Sequence, residues 1–183
     1  AILSVGGRGL YPVDMIIEVE IDDLSSCEPF QAPMVTLSID LETSISTNRI
    51  LCAAVVVDRD GARREHTFHG DEIEDILKPI CRLVREQDPD VITGYNIDNF
   101  DLPRILERTE HLVGKGERPE LFGWGRVPLN ENSRRTIPNR GQNRTWSIAG
   151  RVPMDAWWQA RQTLRPERES LRFVTALILS LIH

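Results

Sequence analysis

Apolar residues occupy alternate positions at Val35, Leu37, Ile39 and Leu41, with polar side chains between them. That period of two predicts a strand over Met34 to Asp40 with one face buried and Asp40 and Glu42 together on the other. Two more β-rich runs, Ile50 to Val57 and Ala62 to Phe68, flank Asp58-Arg59-Asp60-Gly61. An Asp-Gly turn between such runs is a hairpin signal, so the three segments predict an antiparallel meander. Upstream, Met15, Ile17, Val19 and Ile21 alternate well enough to predict a strand over 14–21, followed by a linker up to Pro33.

The period changes after residue 70. Ile73, Ile76, Leu77, Ile80, Leu83 and Val84 recur at helical spacing behind Asp71, with Glu74 placed to close a capping box. Pro79 should kink that helix or reset its start. Val91 to Tyr95 reads as a short strand, and Asp101 opens a helix whose stripe is Leu102, Ile105, Leu106, Leu112 and Val113, stopped by Gly114. Residues 114–145 show no period and predict a long loop, which in a compact domain is functional or disordered. Ile148 to Asp155 predicts a last strand and Ala156 to Gln162 the start of a helix. Strands first, then strand–helix alternation, give an α/β fold.

At 183 residues the chain can bury one main core, and its 27% charged and 40% hydrophobic residues place it among globular proteins. Cys27, Cys52 and Cys81 are odd in number and far apart; Cys52 and Cys81 lie in apolar runs and read as buried reduced thiols of a cytoplasmic protein. No secretory signal is visible in residues 1–13, and the apolar stretch 173–182 is too short to span a bilayer, so no membrane partner is expected.

The net charge of −6 hides an asymmetry. Residues 14–110 carry 22 acidic against 9 basic side chains, whereas residues 126–172 carry 10 arginines against 4 acidic residues. A basic stretch beside an acidic half suits a protein that holds a polyanion near metal ions; an ordinary solvated face is the other reading. Arg134, Arg135 and Arg140, set among Asn, Gly and Pro, are the residues expected to grip phosphate.

The candidate chemistry lies in two acidic segments. Asp40 and Glu42 share one side of a strand, and two carboxylates brought together there call for a cation. Asp101 would add a third from another element. All-oxygen donors select a hard ion, magnesium or manganese. Asp101 has a second reading as a helix N-cap, with Pro103 in the first turn. Asp98 is expected to face solvent, Asp155 to be structural, and Trp157 and Trp158 to be core.

These residues carry a resemblance. Asp40-Leu41-Glu42-Thr43 resembles the first motif, and Tyr95-Asn96-Ile97-Asp98-Asn99-Phe100-Asp101 the second, of the 3′→5′ proofreading exonuclease domain of family B DNA polymerases, particularly archaeal ones. Asp88-Pro89-Asp90 resembles the run-up to the second motif, and Gly150 to Asp155 the strand that follows. The likeness covers about residues 34–172.

It implies a ribonuclease H-like mixed sheet flanked by helices and two Mg2+ or Mn2+ ions on Asp40, Glu42 and Asp101. Thr43, Asn96 and Phe100 would hold the terminal nucleotide, and the partners would be the single-stranded 3′ end of primer DNA and the remainder of a polymerase chain. The family's third motif, Tyr-X-X-X-Asp, is not found, since no Asp, Glu or Tyr follows Glu169. The expected organisation is therefore a lead-in from a preceding domain (1–33), an incomplete exonuclease domain (34–172) and an apolar tail (173–183), the whole a fragment of a longer protein. A free-standing exonuclease with four acidic ligands (DEDD type) and a non-catalytic single-strand-binding domain are the other readings.

Overall fold

The structure, a computed structural model, describes residues 2–5, 15–114, 119–126, 133–136, 144–148 and 150–182. The chain opens with β1 (Ile2–Val5) and β2 (Met15–Ile17), which pair with each other antiparallel. The strand expected over 14–21 therefore stops at Ile17, and Ile21 begins a single 3-10 turn, Ile21–Asp23. Ile17, Val19 and Ile21 are exposed at 52%, 46% and 80%: their alternation has no surface to bury against.

The meander forms as expected. It consists of β3 (Val35–Thr43), β4 (Ile50–Arg59) and β5 (Ala62–His69), paired antiparallel. On β3, Val35, Leu37, Ile39 and Leu41 are all buried while Asp40 and Glu42 are exposed, which is the alternation read from sequence. Asp60 and Gly61, at φ +52° and +86°, form the two-residue connection that matches strand twist, and the Asp58 carboxylate accepts the Gly61 N–H at 2.8 Å.

Asp71 caps the next helix, accepting the N–H groups of Ile73 and Glu74 at 3.0 and 2.9 Å. The reciprocal bond comes from Asp75, which accepts the Asp71 N–H at 2.8 Å; Glu74 instead pairs with Lys78. The reason is register: Glu72–Leu77 winds as a π-helical turn before α1 (Lys78–Gln87) begins. Pro79 then stands at the start of α1, where a missing N–H costs least, so it resets the helix as the sequence suggests.

β6 (Val91–Gly94), α2 (Asp101–Val113), α3 (Pro119–Phe122), β7 (Ser133–Thr136), β8 (Arg144–Ser147), β9 (Val152–Asp155), α4 (Ala156–Thr163) and α5 (Leu171–Ile182) complete the described elements. The main sheet has the order β5-β4-β3-β6-β9, with β3, β6 and β9 parallel. It is a mixed sheet flanked by helices, of ribonuclease H-like type. The stretch 114–145 is not a plain loop: it contains α3 and β7, and β7 pairs antiparallel with β8. Leu121, Phe122 and Trp124 of this stretch are buried, Phe122 meeting Trp124 edge-on at 4.9 Å. Three anchors without a period gave no helical or strand signal. Arg140 lies outside the described residues.

The core joins the inward face of β3 and β4 to α1 and α2. It also contains an ion pair. Arg108 of α2 makes two 2.7 Å bonds to Glu72, whose carboxylate also accepts the Ile50 N–H at 2.9 Å. Cys81 is buried as expected, but Cys52 is only half-buried because it stands opposite Glu42 on the outward-facing register.

Candidate active site

The site forms where the parallel strands end. β6 pairs with β3 only through Thr36, Leu37 and Ser38, so β3 runs on past it with one edge free. Asp101, the first residue of α2, fills that gap: its carboxylate accepts the Leu41 N–H at 3.0 Å, the amide between Asp40 and Glu42. Asp101 is thus not the N-cap; Phe100 holds that position without a side-chain cap bond.

The segment joining β6 to α2 is fixed from both sides. Gly94 packs against β3 so closely that a Cβ there would collide with the Ile97 side chain and the Ile39 carbonyl. Asn96 takes a left-handed conformation, φ +67°, which Asn tolerates better than most residues. From β9, the Asp155 carboxylate accepts the N–H groups of Asn96, Asp98 and Trp157 at 2.7, 3.2 and 2.9 Å. Asp155 therefore caps α4 and clamps the Asn96 loop together. Asp98 is 3% exposed, contrary to expectation, because the clamp turns it inward and its carbonyl accepts the Trp146 indole N–H at 3.1 Å.

Asp40 and Asp101 border one cleft of about 430 Å3, lined also by Tyr95, Asn96, Phe100, Trp157 and Glu169 to Leu171. Phe100 is 37% exposed, with the Arg104 guanidinium 5.8 Å from its ring centre. Burial, then the negative charge of Asp40, pushes the Asp101 carboxyl up to about 7. Burial also raises Asp155, against the three amide bonds that favour its ionised form.

Of the six expected site residues, the cleft gathers Asp40, Asn96, Phe100 and Asp101. Glu42 shares the outward face of β3 with Asp40 but does not border the cleft, and Thr43 lies past a bulge that places it opposite Ile50. Among the described residues, no group of three or more His, Cys, Asp or Glu side chains could hold a metal ion. The donors present still fit a hard divalent ion in kind. Two oxygen-donor carboxylates, with no basic partner among the described residues, repel each other at one cleft, and magnesium characteristically uses one or two carboxylates plus water and phosphate.

Sequence reasoning missed the part of the lining at Glu169 to Leu171. Tyr95 donates its hydroxyl to the Glu169 carbonyl, and nothing local links positions so far apart. Trp157, expected in the core, borders the cleft, while Trp158 is 9% exposed. The capping role of Asp155 was legible as an Asp before a helix start.

The arginine-rich stretch is also partly redirected. Arg126 binds Asp88 and Asp90, Arg151 binds Asp88 together with the Pro89 and Trp124 carbonyls, and Arg161 binds Glu169. These three are engaged within the fold.

A mixed sheet with carboxylates at the exit of its central parallel strands defines a ribonuclease H-like protein. The profile described as "DNA polymerase family B, exonuclease domain" matches residues 68–174, more than half of the chain. The DNA polymerase delta catalytic subunit of Drosophila melanogaster is 37% identical over 164 residues, covering 82% of this chain and 13% of that one. DNA polymerase 1 of Pyrococcus abyssi is 34% identical over 91 residues, covering 49% of this chain and 10% of that one. The solved family B DNA polymerase of Pyrobaculum calidifontis superposes with a TM-score of 0.56 at 22% identity, over 83% of this chain and 19% of that one. The chain belongs to the exonuclease-domain family of family B DNA polymerases. It spans about a tenth of the length of the curated relatives above, which are archaeal and eukaryotic alike.

Proposed function

We propose that the chain carries the 3′→5′ excision chemistry with which a family B DNA polymerase removes a terminal nucleotide. The observation that carries this reading is the Asp101 carboxylate, buried beside Asp40 and bonded to the Leu41 amide between Asp40 and Glu42. Asp40 and Asp101 would hold Mg2+ or Mn2+, with Glu42 adjoining. When bound, the metal would supply an acidified water and stabilise the departing 3′ oxygen. Asn96 and Phe100 would seat the terminal nucleotide, Phe100 by contact with base or sugar, and Thr43 would lie beyond them. The substrate is the single-stranded 3′ end of a primer, read by shape and phosphate with little sequence preference. The remainder of a polymerase chain is the partner.

A second reading, a non-catalytic single-strand-binding domain, draws on the lack of a three-donor cluster among the described residues. One experiment separates the two. A 5′-labelled single strand is incubated with Mn2+ and the chain, Asp40→Ala or Asp101→Asn. Weak stepwise shortening from the 3′ end that both substitutions abolish is expected, since of the expected acidic ligands only Asp40 and Asp101 border the cleft. Shortening that survives both, or that proceeds from the 5′ end, would overturn the proposal; binding without shortening would favour the second reading.

A further inference from the structure

The turn between α4 and α5 borders the cleft. Glu169, Ser170 and Leu171 border the same space as Asp40 and Asp101. Two contacts hold this turn in place: the Tyr95 hydroxyl on the Glu169 carbonyl, and Arg161 on the Glu169 carboxylate at 3.1 Å. Arg168 and Arg172 flank the three cleft residues directly in sequence, and Arg165 precedes them on the same turn. All three are exposed, and none has an ion pair among the described residues. Arg126, Arg151 and Arg161 of the same stretch are by contrast occupied with Asp88, Asp90 and Glu169.

Electrostatics give this arrangement a use. A nucleic-acid end entering the cleft approaches Asp40 and Asp101, two carboxylates that would repel its phosphates. Cations at the rim offset that repulsion and raise the local concentration of a polyanion. Arg172 also lies in the first turn of α5, where a positive charge opposes the helix dipole. Its position is unfavourable for the helix alone.

We infer that Arg165, Arg168 and Arg172 form a phosphate-binding rim, and that the backbone of a single-stranded nucleic acid crosses the α4–α5 turn to reach the carboxylates. This rests on the proposed excision reading. It is independent of the grip expected of Arg134, Arg135 and Arg140. The contacts are to phosphate, so purine and pyrimidine strands are held alike.

The test is a salt titration of labelled single-strand binding in EDTA, where no excision occurs. The chain is compared with an Arg165→Asn, Arg168→Gln, Arg172→Gln variant, and with Arg82→Gln on α1 as a control. Asn is chosen at 165 because that residue has φ +46°. With three phosphates lost, the slope of log affinity against log salt should fall by about 2, at roughly 0.7 per phosphate. The control slope should not change. A triple lysine variant at the same positions keeps the charge and should keep the slope, which guards against a misfolded neutral variant. Equal slopes for the chain and the neutral variant would overturn the rim alone. Failure of the unaltered chain to bind at low salt would overturn the rim together with the reading beneath it.

Discussion

The two ends of β6 hold the same type of side chain in opposite electrical settings. At its entry, Asp88 and Asp90 meet arginine. Arg126 bonds both at 2.9 and 2.8 Å, Arg151 bonds Asp88 at 2.8 Å, and Asp90 also accepts the Val35 N–H at 2.9 Å. For Asp90 the Val35 amide and then Arg126 hold the carboxyl below its usual range; for Asp88 the two arginines outweigh burial in the same direction. At its exit, Asp101 and Asp155 accept backbone amides, burial pushes both up, and the negative charge of Asp40 adds to the rise at Asp101. Carboxylates that staple strands are given their cation by the fold. Those at the cleft are not, and the uncompensated charge is what a metal ion can use.

The sharpest way to break this contrast is to neutralise each end. Asp40→Asn at the exit should lower excision by roughly a thousandfold, the scale of losing several kcal/mol of metal-derived stabilisation, with no loss of thermal stability. A variant that excises normally would remove the functional half of the comparison. At the entry, Arg151→Met should act on stability. It leaves the Trp124 and Pro89 carbonyls without their donor inside the protein, which costs about 2–4 kcal/mol by denaturant titration. Asp88→Asn should cost less, because the Asp88 side chain is 59% exposed.

pH tests the exit end directly. The folded-state carboxyl of Asp101 lies above its unfolded value, so the folded form binds the proton more tightly. Its stabilising contribution is complete below about pH 4 and is lost as pH rises through about 7. Asp101→Asn retains an acceptor for the Leu41 amide, so it should flatten that dependence and raise stability above neutrality by about 1–3 kcal/mol. Magnesium should raise the melting temperature of the unaltered chain above pH 7 and have less effect on the variant. An unchanged pH profile in Asp101→Asn would assign the dependence to another group.

The smallest effect is expected at Phe100. Its exposed ring should contribute about 1 kcal/mol to single-strand binding, so Phe100→Ala should weaken affinity roughly fivefold without altering the salt slope. Loss of stability instead would make Phe100 a packing residue.

Much of this was legible from one-dimensional pattern. The outward pair Asp40 and Glu42 followed from alternation, and the Asp60-Gly61 turn from its residues. What was not legible is contact across distance. The inward turn of Asp98 depends on Asp155, and the α4–α5 part of the cleft lining depends on Tyr95 reaching Glu169. The same holds for the redirected arginines: composition counts charges, and only the folded chain pairs them. The β7–β8 hairpin escaped because its strands, Ser-Arg-Arg-Thr and Arg-Thr-Trp-Ser, lack an apolar alternation.

The bond from Leu41 N–H to Asp101 gives the protein a built-in reporter. Beyond Ser38, β6 supplies β3 with no partner, and a carboxylate takes the place of a neighbouring strand. Hydrogen–deuterium exchange of that single amide therefore times the docking of the α2 start onto the sheet. A slow Leu41 amide reports an assembled cleft even when no substrate or ion is present. Its exchange rate, followed residue by residue, would separate variants that disturb chemistry from those that let α2 drift away.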